Sequence, residues 1–181
     1  IGAGLGLRGR GCERVRLAVW EGCKNASGDE TGAGSVEPVL GEVGVLAVPH
    51  TFLRVRRKLC DDKGLLLICD EIQTGIGRTG DLFCYEHTGV TPDIMAIAKG
   101  IGGGFPLGAG LATENAASGM VAGTHGSTFG GNPSATAVGN AVLDVVLGDG
   151  FLANVQLQAL KLKQGLARLK DLHPTVIEDI R

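Results

Sequence analysis

Three stretches of the chain combine residues whose types and spacing could do chemistry. In LLLICDEIQTGIGRTG (65–80), five apolar residues run into Asp70 and Glu71 and then into a polar, glycine-rich segment. Burying an ionised acid costs several kcal/mol unless a partner offsets it. An acid at the end of a buried strand therefore points to a counter-group: an arginine, a metal ion or a cationic ring nitrogen. A helix-capping or turn acid is the structural alternative. Lys99 follows the apolar IMAIA (94–98) and precedes the glycines of GIGGGFP (100–106). A lysine at a strand end, followed by glycines that let the backbone turn tightly, suits a partly desolvated amine. Burial disfavours its charged form and primes it to form a Schiff base; a solvated loop cation is the alternative. In GTHGSTFGGNP (123–133), small and hydroxyl residues precede a helix, and such a nest of donors favours a phosphate.

Asp70 and Lys99 together match what pyridoxal 5'-phosphate (PLP) needs, a carboxylate for the pyridinium nitrogen and a lysine for the aldehyde. A rival from another class is a metal hydrolase using Asp70, Glu71 and His125. No HExxH or other paired-ligand spacing supports it, and no metal site is expected. A formal GxGxxG at Gly4–Gly9 has only three residues before it, whereas a dinucleotide site needs a strand there and a helix after it.

The elements that must position these residues read as alternating helices and strands. Thr51–Lys63 carries Phe52, Val55 and Leu59 at helical spacing, with Gly64 as a stop. LLLIC (65–69) reads as a strand covered on both faces, and IMAIA (94–98) and LGAGLA (107–112) as further strands. Asn132–Leu147 and Phe151–Leu172 read as helices. In the second, Leu152, Val155, Ala159, Leu162, Leu166 and Leu169 form a stripe expected to pack in a core. VIEDIR (176–181) reads as the start of another strand, so the chain reads as truncated within an element. A helix followed by a covered strand is the α/β signature.

Bulk properties exclude several classes. The 181 residues carry a net charge of −2, which gives no electrostatic case for nucleic acid or an anionic membrane. No apolar run approaches the roughly 20 residues that span a bilayer. The start has no initiator Met and too short an apolar stretch for a signal peptide, so a cytoplasmic location is the expectation. The five cysteines form no CxxC pair and suit reduced thiols. Residues 1–35, rich in Gly and Arg, show no sustained periodicity; they read as loop, tail or an anomalous segment such as an assembly join.

LLICDEIQTGIGRTG, GVTPDIMAIAKGIGGGFPLGA and GTHGSTFGGNP closely resemble the class III (ornithine-type) PLP-dependent aminotransferases, and VEPVLGEVGV (36–45) resembles an upstream segment of that family. The resemblance begins near Val36. It implies an α/β protein of PLP fold type I, representing part of the large-domain mostly parallel sheet with flanking helices, truncated at both ends. Residues 36–150 would belong to the PLP-binding large domain, and residues 151–181 would be a linking helix and the start of the small domain.

By the same resemblance Lys99 is the Schiff-base lysine and Asp70 pairs with the ring nitrogen. Gln73 contacts the phenolic oxygen, Ile72 packs on a ring face and Glu71 lies beside the cofactor. Thr128 binds the phosphate of the neighbouring subunit's cofactor, with Ser127, Glu37 and Glu42 on the substrate side. The implied reaction is ping-pong transamination from N-acetylornithine to 2-oxoglutarate, a step of arginine biosynthesis, in a homodimer with shared active sites. Ornithine, succinyldiaminopimelate or 4-aminobutyrate are alternative donors, and an inactive fragment is the alternative to an active enzyme. Leu40 stands where the family usually has Gln. The family's phosphate cup, ring-stacking aromatic and substrate-carboxylate arginine have no counterpart in residues 1–35.

Overall fold

The computed structural model describes residues 28–42 and 44–181. Gly4–Gly9, Cys12 and Cys23 lie outside the described residues. A four-stranded sheet has the order β1 (Ala33–Val36), β4 (Leu66–Asp70), β5 (Ile94–Ile97), β6 (Ala109–Ala112). β1, β4 and β5 run parallel, with Val36 opposite Cys69 and Asp70 opposite Ala96, while β6 pairs antiparallel to β5. The short β2 (Val39–Leu40) and β3 (Leu46–Ala47) form a separate antiparallel ribbon directly after β1.

Helix α1 (His50–Lys63) delivers the chain back to the start of β4. Its apolar positions Leu53, Leu59 and Cys60 are buried, and Gly64 closes it in the left-handed conformation at φ 65°. Arg57–Asp61 and Lys58–Asp62 pair across successive turns on the exposed side. Arg57 also reaches Asp93 at 2.7 Å, and the same Asp93 carboxylate accepts the Leu67 amide at 2.7 Å. A single acid thus ties α1, β4 and the approach to β5 together. Leu53, Leu67, Cys69 and Val36 form one core cluster, against which Leu40 packs half-buried; an apolar residue in place of the family's Gln suits that position.

The 14-residue α3 (Pro133–Val146) follows the short α2 (Glu114–Ala117). Asn132 caps α3 by accepting the Ala135 amide at 2.9 Å, and Pro133 occupies its first turn. The 22-residue α4 spans Phe151–Leu172. Val146, Ile76, Met95, Ile97 and Ile101 form the second core cluster, with Leu152 against it.

Three sequence expectations need correction. β4 alternates buried and half-buried residues, so only one of its faces is fully covered. The apolar stripe of α4 is not core in this chain: Leu162 and Leu169 are exposed and no residue of the helix is buried. Periodicity shows what a helix can bury, but burial also needs an opposing surface, and only the Leu152 end meets one. Residues 176–181 form no strand, since they pair with no sheet; instead Val176 and Ile177 turn back onto the His173 carbonyl, and Arg181 reaches the Gly44 carbonyl at 2.7 Å. No single helix among the described residues is long and apolar enough to cross a membrane.

Candidate active site

Parallel pairing brings the ends of β1, β4 and β5 to one edge of the sheet, and each strand continues into a polar residue there. Glu37 follows β1, Asp70 ends β4, and Lys99 follows β5. The carboxyl edge of a parallel sheet is where ligands bind in open α/β folds.

Strand alternation separates the two neighbouring acids. Asp70 shares the half-covered face of β4 with Leu66 and Ile68. Its Oδ1 accepts the Ile72 amide at 3.0 Å, and its Oδ2 accepts no hydrogen bond among the described residues. Glu71 turns to the covered side and is 1% exposed. Its carboxylate accepts the Thr74 hydroxyl, the Cys84 amide at 3.1 Å and the Tyr85 amide at 2.8 Å. The carboxylate of Glu71, expected beside the cofactor, is committed to folding the loop back on itself. Gly75 completes that turn, because a Cβ there would lie 2.8 Å from the Glu71 carbonyl oxygen.

Lys99 occupies the left-handed region at φ 48°, as does Ile76 at φ 59°. For residues with a Cβ this costs on the order of 1–3 kcal/mol and is concentrated at functional sites. The Lys99 Nζ donates to Gln73 Oε1 at 2.9 Å, joining the loops that follow β4 and β5. Lys99 is exposed, which corrects the expectation of a desolvated amine. It stands at the open edge of the sheet, and none of the described segments closes over it.

The other expected residues divide in two. Glu37 and Glu42 flank the β2 strand beside the sheet edge; Glu37 Oε1 accepts the Gly41 amide at 3.2 Å, and Glu42 is exposed. Ser127 and Thr128 lie in a wholly exposed loop, where Ser127 Oγ accepts the Gly130 amide at 3.1 Å. No hydrogen bond among the described residues links them to Asp70, Gln73 or Lys99. Asp70, Glu71 and His125 are not gathered, and no three His, Cys, Asp or Glu side chains among the described residues form a metal-sized group. Gly41 is a site residue the sequence did not reveal: it packs directly on Gln73, across a contact that no local pattern encodes.

A half-buried carboxylate with one oxygen unpartnered among the described residues, an exposed lysine just past the adjacent strand and an amide bonded to that lysine form a donor set that fits PLP. Fold and site together define an α/β protein with a lysine at the carboxyl edge of its parallel strands. Residues 9–181 match the model of the family described as "Aminotransferase class-III", so the chain belongs to the class III aminotransferases. That match takes in most of the Gly/Arg-rich start, which corrects the expectation that the resemblance begins near Val36. The chain is 60% identical over 178 residues to an acetylornithine aminotransferase of Agrobacterium fabrum, covering 98% of this chain and 45% of that protein. It is 56% identical over 178 residues to that of Brucella melitensis. Among solved structures, the N-acetylornithine aminotransferase of Stenotrophomonas maltophilia superposes with a TM-score of 0.73 at 39% identity, over 83% of this chain and 38% of that one. An ornithine delta-aminotransferase of Plasmodium falciparum gives a TM-score of 0.82 at 34% identity, over 90% of this chain and 43% of that one. The chain thus spans under half the length of these relatives.

Proposed function

We propose that the protein to which this chain belongs is a PLP-dependent transaminase that moves an amino group from N-acetylornithine to 2-oxoglutarate, in arginine biosynthesis. The observation that carries this reading is the placement of Asp70 and Lys99 at the carboxyl ends of adjacent parallel strands, with Gln73 hydrogen-bonded to Lys99 at 2.9 Å. The 60% identity to a protein named acetylornithine aminotransferase supports the choice of donor. Ornithine is the second donor to consider, because a solved ornithine aminotransferase superposes well.

Lys99 would hold the cofactor aldehyde, Asp70 Oδ2 the ring nitrogen, Ile72 a ring face and Gln73 the phenolic oxygen. Thr128 would bind the phosphate across a homodimer interface, and Ser127, Glu37 and Glu42 would face the substrate. When bound, PLP supplies an electron sink that lets the substrate Cα–H bond ionise. The chain's own part is proton management. Asp70, oriented by the Ile72 amide, would be the partner that holds a proton on the ring nitrogen. Lys99, besides holding the cofactor aldehyde, would as a free amine at the same sheet edge carry a proton to and from the substrate Cα. Residues 36–150 would form part of the cofactor-binding domain, and 151–181 would lead into a smaller one. The unpaired thiols Cys60, Cys69 and Cys84 suit a reducing compartment such as the cytoplasm.

The test is addition of PLP to the protein expressed from its complete gene, followed by assays with each donor. A visible absorbance band that is absent in Lys99→Ala, together with 2-oxoglutarate-dependent turnover of N-acetylornithine in preference to ornithine, is the expected result. A protein that forms no such band overturns the proposal. Faster turnover of ornithine would reassign the donor.

A further inference from the structure

We propose that Gly41 is a positioning residue that holds Gln73 against Lys99; the inference rests on the transaminase reading of this site. Gln73 is exposed, and its amide makes a single hydrogen bond among the described residues, the one that Oε1 accepts from Lys99 Nζ at 2.9 Å. A long exposed side chain with one polar contact loses considerable rotamer freedom to make it. A rigid wall behind the side chain lowers that cost by removing the competing rotamers.

Gly41 is that wall. A Cβ built on it would lie 3.2 Å from Gln73 Cγ and 3.4 Å from Nε2, closer than side-chain carbons ordinarily approach. The backbone of Gly41 is itself fixed, because its amide donates to Glu37 Oε1 at 3.2 Å and its carbonyl accepts the Val45 amide at 3.4 Å. Glu37 in turn sits at the end of β1, one residue beyond the register pair Val36–Cys69 that sets β4 in place. A continuous route therefore runs from the sheet through Glu37 and Gly41 to Gln73 and Lys99. Gly41 contributes to it by having no side chain: a methyl group must push Gln73 by a few tenths of an ångström, and an isopropyl group by more. The Lys99 bond is the one polar contact of the Gln73 amide among the described residues that such a displacement can disturb.

The test is a double-mutant cycle in the protein expressed from its complete gene, comparing Gly41→Val, Gln73→Ala and the combination, with Gly41→Ala as a milder variant. Two quantities are read. The first is the rate at which Lys99, without PLP, reacts with trinitrobenzenesulfonate as pH is varied, followed on the Lys99 peptide by mass spectrometry. The second is the PLP dissociation constant. Gly41→Val is expected to speed Lys99 labelling by freeing the amine from its acceptor and to weaken PLP about tenfold, as loss of one hydrogen bond does. Gly41→Ala should move both in the same direction by less, and it carries the test if the valine variant does not fold. With Ala at position 73, neither Gly41 substitution should change either quantity further. An unchanged Lys99 in Gly41→Val, or an equal effect in the Gln73→Ala background, overturns the proposal. Failure of the unsubstituted protein to bind PLP overturns the transaminase reading instead, and Lys99 labelling still decides whether Gly41 acts through Gln73.

Discussion

Lys99 Nζ and Gln73 Oε1 lie 2.9 Å apart, so the amine is oriented by the loop that follows the neighbouring strand. Asp70 stands three residues before Gln73 on that same chain segment, with Oδ1 turned to the Ile72 amide. The acid and the amine can therefore be separated experimentally. Lys99→Ala should remove both the visible PLP band and turnover. Asp70→Asn should keep the band, because the lysine remains, yet lower kcat by roughly 10²-fold or more through loss of a preorganised charge. Full activity in Asp70→Asn would exclude the ring-nitrogen role.

Glu71 supports the loop that carries Gln73. Replacing it with Ala would leave two backbone amides and the Thr74 hydroxyl without their acceptor in a buried site. Each buried donor so abandoned costs about 1–3 kcal/mol. Urea unfolding should show Glu71→Ala losing about 3–5 kcal/mol, and Glu71→Gln less, since an amide oxygen still accepts. A change in stability below about 0.5 kcal/mol, typical of surface sites, would refute this role.

Much of this site was legible because its signals are local. The helix Phe151–Leu172 has the bounds its periodicity predicts, and Asn132 caps α3 as an Asn before Pro should. LLLIC read as a strand lying one residue early, and alternation from Leu67 onward places Asp70 and Glu71 on opposite faces. Two properties were not legible. The exposure of Leu162 and Leu169 depends on surfaces elsewhere in space, which a helical stripe cannot report. The contact of Gly41 with Gln73 arises only when the β2–β3 ribbon folds over the end of β4, so a glycine that looks like ordinary turn punctuation becomes part of the site.

Asp93 predicts an acid-sensitive joint. Burial alone would raise its carboxyl, but the Leu67 amide and the Arg57 guanidinium outweigh that and hold it below the ordinary carboxylate range. A folded-state value below the unfolded one means the stabilisation is present above the unfolded value of about 3.9. It is lost as pH falls through the folded value. Unfolding free energy should therefore drop below about pH 4, and Asp93→Asn should flatten that limb while lowering stability at neutral pH. An acid limb unchanged in Asp93→Asn would assign the pH dependence elsewhere.

Cys69 and Cys84 predict the opposite limb. Burial, reinforced by the Glu71 carboxylate, pushes the Cys69 thiol up to about 12 and the Cys84 thiol up to about 11. Only the thiolate is an effective nucleophile, so at pH 8 Cys84 should react with iodoacetamide roughly 10²-fold and Cys69 roughly 10³-fold more slowly than in urea, where values near 8.5 apply. The sign for stability follows: these values are raised in the fold, so their contribution is complete below the unfolded value near 8.5. It declines as pH rises toward the folded values. Cys84→Ala should shrink the loss of stability between pH 9 and 11, and time-resolved mass spectrometry of alkylation should show Cys84 protected until the loop held by Glu71 opens. Rapid labelling of Cys84 in the native protein at pH 8 would contradict the raised value of this half-buried thiol.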